Sequence, residues 1–204
     1  MKKVWVFRHG PKESGAGKNV ICPEMGLKNP EGYEMTKKIV ETLLEEQKFN
    51  ALFTSPFVRA YQTGVIFALE LGMPLPSIID GLAGKNLCQD WVDIILTLTG
   101  SSCADLYHAA PQLLQQEGEQ VFETIQLIAE SLEDDSQDLC VSHGGLIEPA
   151  MAAAKTRFVS DFETELLSIQ DLKEGDGVIF EFDENNNFIG LEEKRLYNPI
   201  LCFY

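Results

Sequence analysis

Three short runs in this chain combine residue types that could handle a phosphoryl group: Arg8-His9-Gly10, Ser55-Pro56-Phe57-Val58-Arg59-Ala60-Tyr61-Gln62-Thr63 and Ser142-His143-Gly144-Gly145. A phosphoryl group presents several negative oxygens that need fixed donors, and its phosphorus needs a nucleophile. Arginine supplies a planar fork of donors that matches phosphate. A neutral imidazole nitrogen can attack phosphorus, and the resulting phosphorus–nitrogen bond is labile enough for water to cleave afterwards. Neighbouring guanidinium charges help keep such an imidazole unprotonated.

The elements around these runs should bring them together. Residues 3–8 form a short β-rich run ending at His9, and residues 51–55 and 139–142 read as two further strands. Each hands over directly to one of the polar runs. In an open α/β sheet the carboxyl ends of the strands line one crevice, so the three runs can converge there. The segment 11–30, rich in Pro and Gly, reads as a long loop, and helical periodicity covers 31–47. Pro56 opens a helix ending near Gly72, residues 77–80 are a weak strand, and a helix is expected at 117–132. Segment 81–110 is mixed, with a helix around Leu87 to Leu98, and a further helix runs from the Gly144-Gly145 turn to Lys155. Residues 176–193 alternate as two strands about a polar Asn-rich turn, a hairpin pattern. Strands alternating with helices imply α/β layers around a largely parallel sheet.

Length and composition narrow the class. A chain of 204 residues points to one domain spanning 1–204, with 81–110 as a possible cap or insert. Sixteen Lys and Arg against thirty-two Asp and Glu give a net charge of −16, which opposes general binding to nucleic acid or an anionic membrane. An anion site must therefore be local. No run approaches the length of an apolar membrane span and the N-terminus is not a signal peptide, so a cytoplasmic protein is expected. The five scattered cysteines, with no Cys-x-x-Cys spacing, read as reduced thiols.

Taken together and in this order, the three runs resemble the signature of the histidine phosphatase superfamily, the phosphoglycerate mutase-like family, over most of the chain. The resemblance implies a three-layer α/β/α sandwich with a mostly parallel central sheet. It also implies a phosphomonoesterase acting on a small phosphorylated substrate through a covalent phosphohistidine, with no cofactor and no metal. By that resemblance His9 is the nucleophile, Arg8 and Arg59 are phosphate ligands, and His143 donates to the phosphoryl oxygens. Gly10 and Gly144 would let backbone groups come close. The family also uses a carboxylic acid to protonate the leaving oxygen, commonly from a Glu-x-x-x-Gly stretch. Asp80-Gly81-Leu82-Ala83-Gly84 occupies that place, which makes Asp80 the general-acid candidate, with Asp90 and Asp93 within one alignment shift. A working acid needs a pKa raised towards the operating pH.

Departures from the family pattern bear on the substrate. Many members carry a small hydroxyl residue and an Asn where this chain has Lys12 and Gly15, and the mutase-type Glu-Arg-His is missing at 80–82. Hydrolysis is therefore expected over mutase-type phosphate transfer between hydroxyls. Lys12 and Lys85 would add positive charge and suit a substrate with an anion beyond the phosphate. Two other readings stay open: a catalytically weak member that binds a phosphorylated ligand, and a metal held by His9 and His143 with Asp80 or Glu148. Ser55 reads as a helix N-cap and Thr63 as a helix-packing residue. Gly15-Ala16-Gly17-Lys18 lacks the spacing of a nucleotide phosphate loop, and Ser142 has no Gly-x-Ser-x-Gly context. Oligomeric state is left open.

Overall fold

The computed structural model of the protein describes residues 1–13, 24–84, 102–158 and 161–196. Among them the chain forms six strands and six α-helices: β1 (Lys2–Arg8), α1 (Glu31–Ile39), β2 (Leu52–Thr54), α2 (Val58–Leu71), β3 (Ser77–Ile78), α3 (Cys103–Ala109), α4 (Pro111–Ser131), β4 (Gln137–Ser142), α5 (Ile147–Lys155), α6 (Phe162–Ser168), β5 (Gly177–Phe182) and β6 (Phe188–Lys194). The expected helix around Leu87 to Leu98, together with Lys85, Asp90 and Asp93, lies outside the described residues, as do Gly15 and Lys18.

The sheet has the order β3-β2-β4-β1-β5-β6. Strands β3, β2, β4 and β1 run parallel, while β5 lies antiparallel to β1 and pairs with β6 as the expected hairpin. Alternation along β1 sends neighbouring side chains to opposite faces. Val4 and Val6 pack with Phe122 and Ile125 of α4 and Ile147 and Met151 of α5. Trp5 and Phe7 pack on the other side with Ile39 of α1 and Ala60 and Phe67 of α2. Helices thus cover both faces, the three-layer α/β/α arrangement expected from sequence. No helix among the described residues is long and apolar enough to cross a membrane.

Differences from the sequence expectation have local causes. Helix α4 begins at Pro111 rather than near 117, because Glu117 and Gly118 sit on its buried face and interrupt the apolar period. Gly118 is needed there, since a Cβ would come 2.5 Å from the Pro149 carbonyl oxygen of α5. The short helix α6, which periodicity does not reveal, is capped by Asp161, whose carboxylate accepts the Glu163 and Thr164 amides. Strand β3 ends at Ile78, and Asp80 lies in a single 3₁₀ turn, Asp80–Ala83. Helix α1 gives way after Ile39 to a wider turn over Val40–Leu44.

Candidate active site

Strand register alone brings the three runs to one edge of the sheet. Arg8 is paired with Ser142 across β1 and β4, and Thr54 with Val141 across β2 and β4. The residues that follow these strand ends are His9, His143 and Ser55, and backbone bonds extend the ladders past the strands. His9 N donates to the Ser142 carbonyl at 3.1 Å and Ser55 N to the Val141 carbonyl at 3.0 Å. The His9 and His143 rings consequently lie 5.2 Å apart between centroids.

His9 is only 3% exposed. Its Nδ1 lies 2.7 Å from the Gly10 carbonyl oxygen, which can only accept, so Nδ1 carries the proton and donates. Nε2 is then the lone-pair nitrogen, and Arg59 Nε donates to it at 3.0 Å. Burial, with the charge of Arg59 next and smaller contributions from Arg8 and Lys12, holds the imidazole well below its usual range, against an opposing pull from the Gly10 carbonyl. At neutral pH the ring is uncharged.

Arg59 is fixed from the start of α2. Its backbone carbonyl accepts from Thr63 Oγ1 at 2.8 Å, and the same hydroxyl accepts from Gly10 N at 3.1 Å, tying α2 to the residue after the nucleophile candidate. The Arg59 guanidinium lies 4.8 Å from the Phe57 ring centroid, and that ring also packs, tilted by 51°, 4.7 Å from His143. His143 is held by Ser55, whose Oγ lies 2.6 Å from Nε2, while Nδ1 is buried with no hydrogen-bond partner. Burial, followed by the charges of His9, Arg59, Arg8 and Lys12, lowers the His143 pKa well below its usual range. Ser55 had the sequence signature of a helix cap, yet the helix starts later with Phe57 at its N-cap position, and Ser55 serves chiefly to hold His143.

Arg8 projects from the end of β1 between two loops. Its NH1 donates to the Leu172 carbonyl, and its Nε is buried without a partner. Gly144 lies flat against the guanidinium, where a Cβ would come 2.4 Å from NH1. Gly10 is required by packing too, with Thr36 Oγ1 2.7 Å from where its Cβ would sit. Lys12 is set beside the site by a bridge to Leu27, and Gln62 of α2 accepts the Leu27 amide at 2.7 Å. Burial, then the charge of Arg59 and more weakly that of Arg8, lower the Lys12 pKa to about 8, opposed by Glu174. The site is thus a local cationic cluster in a chain of net charge −16.

Asp80 is not drawn into this cluster by any described contact. Its side chain is exposed, and the turn that carries it is tied to the site through its backbone, the Leu82 carbonyl accepting from Ser142 Oγ at 2.7 Å. The metal grouping of His9 and His143 with an acid does not assemble among the described residues. Among the described residues the one cluster with ligand atoms within 4.8 Å of one another is Cys103, Glu148 and Asp171, and it includes neither histidine. Both carboxylate oxygens of Glu148 already accept backbone amides, and Asp171 Oδ1 accepts the Cys103 amide.

Comparison with known proteins bears on the family and the fold. The family model described as "Histidine phosphatase superfamily (branch 1)" matches residues 4–179, from within β1 to the middle of β5. Among solved structures, Bacillus stearothermophilus YhfR superposes with a TM-score of 0.70 at 19% identity, covering 93% of this chain and 95% of that one. A mutant phosphoserine phosphatase from Entamoeba histolytica in complex with phosphoserine follows with a TM-score of 0.65 at 16% identity, covering 96% and 98%. A mycobacterial glucosyl-3-phosphoglycerate phosphatase has a TM-score of 0.62 at 13% identity, covering 96% and 98%. Comparison with curated protein sequences returns no match. These relatives share the fold, and the extent of the family match, over the strands that carry all three polar runs, is decisive: the chain belongs to the histidine phosphatase superfamily, branch 1.

Proposed function

We propose that the protein is a metal-independent phosphomonoesterase that hydrolyses a small phosphate ester through a phosphohistidine on His9. The observation that carries this reading is the buried, neutral His9 imidazole with its Nε2 lone pair facing Arg59. When a phosphate ester enters, a phosphoryl oxygen takes over the Arg59 N–H, which frees Nε2 to attack phosphorus. The bond from phosphorus to the ester oxygen breaks, and Asp80 gives its proton to the departing alkoxide. The same carboxylate then takes a proton from water as that water attacks the phosphohistidine, releasing inorganic phosphate and restoring both groups. Arg8 and Arg59 hold the non-bridging oxygens. Ser55 Oγ accepts the Phe57 amide, which leaves its own proton for His143 Nε2, so His143 offers a donating Nδ1. The two buried, unpartnered atoms of the site, Arg8 Nε and His143 Nδ1, are both donors that a phosphate oxygen would satisfy.

Lys12 adds a third cation and favours an ester carrying a second anion, for which phosphoserine is the first probe. One observation favours a second reading. Asp80 is exposed and makes no described contact with the cationic cluster, as in a member that binds phosphorylated ligands with little turnover.

Hydrolysis of p-nitrophenyl phosphate in excess EDTA separates these readings, with wild type compared with His9→Ala and Asp80→Ala. Turnover that survives EDTA and is lost in His9→Ala supports the phosphohistidine route. Asp80→Ala should still release p-nitrophenolate in a first-turnover burst, because p-nitrophenolate leaves without a proton, should turn over slowly after it, because the water lacks its base, and should lose activity on phosphoserine. Turnover persisting in His9→Ala overturns the mechanism. A folded wild type that binds phosphate without turnover establishes the second reading.

A further inference from the structure

Glu148, in the first turn of α5, is 1% exposed and is used by none of the steps above. Its Oε2 accepts the Gly145 amide at 2.8 Å and its Oε1 accepts the Leu172 amide at 2.9 Å. Gly145 follows Gly144, which forms one wall against the Arg8 guanidinium, and Leu172 supplies the carbonyl that accepts from Arg8 NH1 on the other side. One buried carboxylate therefore fixes both backbone segments between which Arg8 is seated. Burial raises the Glu148 pKa, while the charge of Arg8 and the amide hydrogen bonds pull it down.

We propose that Glu148 is a positioning residue for phosphate recognition: by clamping the Gly145 and Leu172 amides it builds the seat that holds the Arg8 guanidinium in its phosphate-binding pose. This rests on the reading of Arg8 as a phosphate ligand. A carboxylate is the group the position requires, because only it offers two acceptors to two converging N–H groups. The amide of Gln would turn its NH2 towards one of them, and Asp is too short to span both.

The test is calorimetric titration of tungstate, an inert phosphate mimic, into wild type, Glu148→Gln, Arg8→Ala and the double variant, with KM and kcat measured on p-nitrophenyl phosphate. Glu148→Gln should weaken tungstate about tenfold and raise KM in parallel, as expected for losing charge-assisted hydrogen bonds, with kcat less affected. In the Arg8→Ala background the same replacement should change tungstate affinity less than about twofold, because its effect runs through Arg8. A purely structural Glu148 would lower the melting temperature and leave both constants unchanged, which overturns the proposal. The full loss persisting without Arg8 overturns it too. If Glu148→Gln does not melt cooperatively, Glu148→Asp carries the same test. A wild type that binds no tungstate overturns the phosphate-site reading itself, whereas tight wild-type binding unaltered by Glu148→Gln overturns only this inference.

Discussion

Arg59 Nε donates to His9 Nε2 across 3.0 Å, so the guanidinium occupies the lone pair that would attack phosphorus. The pairing orients the imidazole and adds to burial in keeping it neutral. Arg59→Ala should lower kcat/KM on p-nitrophenyl phosphate about 100-fold, the usual consequence of removing one transition-state donor. Arg59→Lys should recover little of it, since an ammonium has no planar fork. The pH profile adds a signed check. His9 lies well below 6.5, so the acid limb of kcat/KM falls below that pH in wild type. Without Arg59 it should move upwards, and a fixed acid limb would contradict this account.

Ser55→Ala removes the hydroxyl 2.6 Å from His143 Nε2 and leaves that nitrogen buried and unpaired. The fold should lose about 1–3 kcal/mol, as for other orphaned buried polar groups. Activity should fall further than stability, because the ring loses its orientation as well as its partner. Thermal melts and kcat on folded protein separate the two effects. Wild-type kcat in Ser55→Ala would show that His143 needs no such support.

Lys12, with its pKa lowered to about 8, is cationic below that pH and neutral above it. A basic limb near pH 8 is therefore expected in kcat/KM for phosphoserine, which reports the free enzyme. Lys12→Ala should abolish that limb and lower kcat/KM at pH 7, with a smaller effect on p-nitrophenyl phosphate. An unchanged limb in the variant would assign it elsewhere.

Asp138 is a stability probe remote from chemistry. Burial raises its carboxyl from the ordinary 3.8 to about 6, although the Ala51 amide donates to it and pulls the other way. Between those values the folded state holds a proton that the unfolded state has released, so stability falls as pH rises from about 4 to about 6. Asp138→Asn keeps an acceptor for Ala51 without the charge. It should melt higher than wild type at pH 7, and the gain should vanish below pH 4. An equal gain at both pH values would rule out the titration of Asp138 as its cause.

Much of the site was legible in the sequence because its parts are local. A strand ending in Arg8-His9-Gly10, a Ser-Pro-x-x-Arg turn into a helix and a strand ending in His143-Gly144-Gly145 each declare their chemistry through adjacent residues. The β-rich run of β1 and the hairpin at 177–194 were readable for the same reason. The sequence could name Asp80 as the acid candidate but not its surroundings, because an acid's reach and burial depend on what packs around it.

What only the tertiary structure decided was the support beneath those groups. Ser55 holds His143 across 88 positions of sequence, and Thr63 joins Gly10 to Arg59 across β1 and α2. Glu148, which has no motif of its own, clamps two loops that meet only because β1, β4 and β5 lie side by side. A hydrogen bond between distant segments leaves no periodic or composition signal, since its geometry is set by strand register and helix packing. The sequence by itself determined which residues could do the chemistry, and the sheet order determined which of them meet and which backbone groups hold them there.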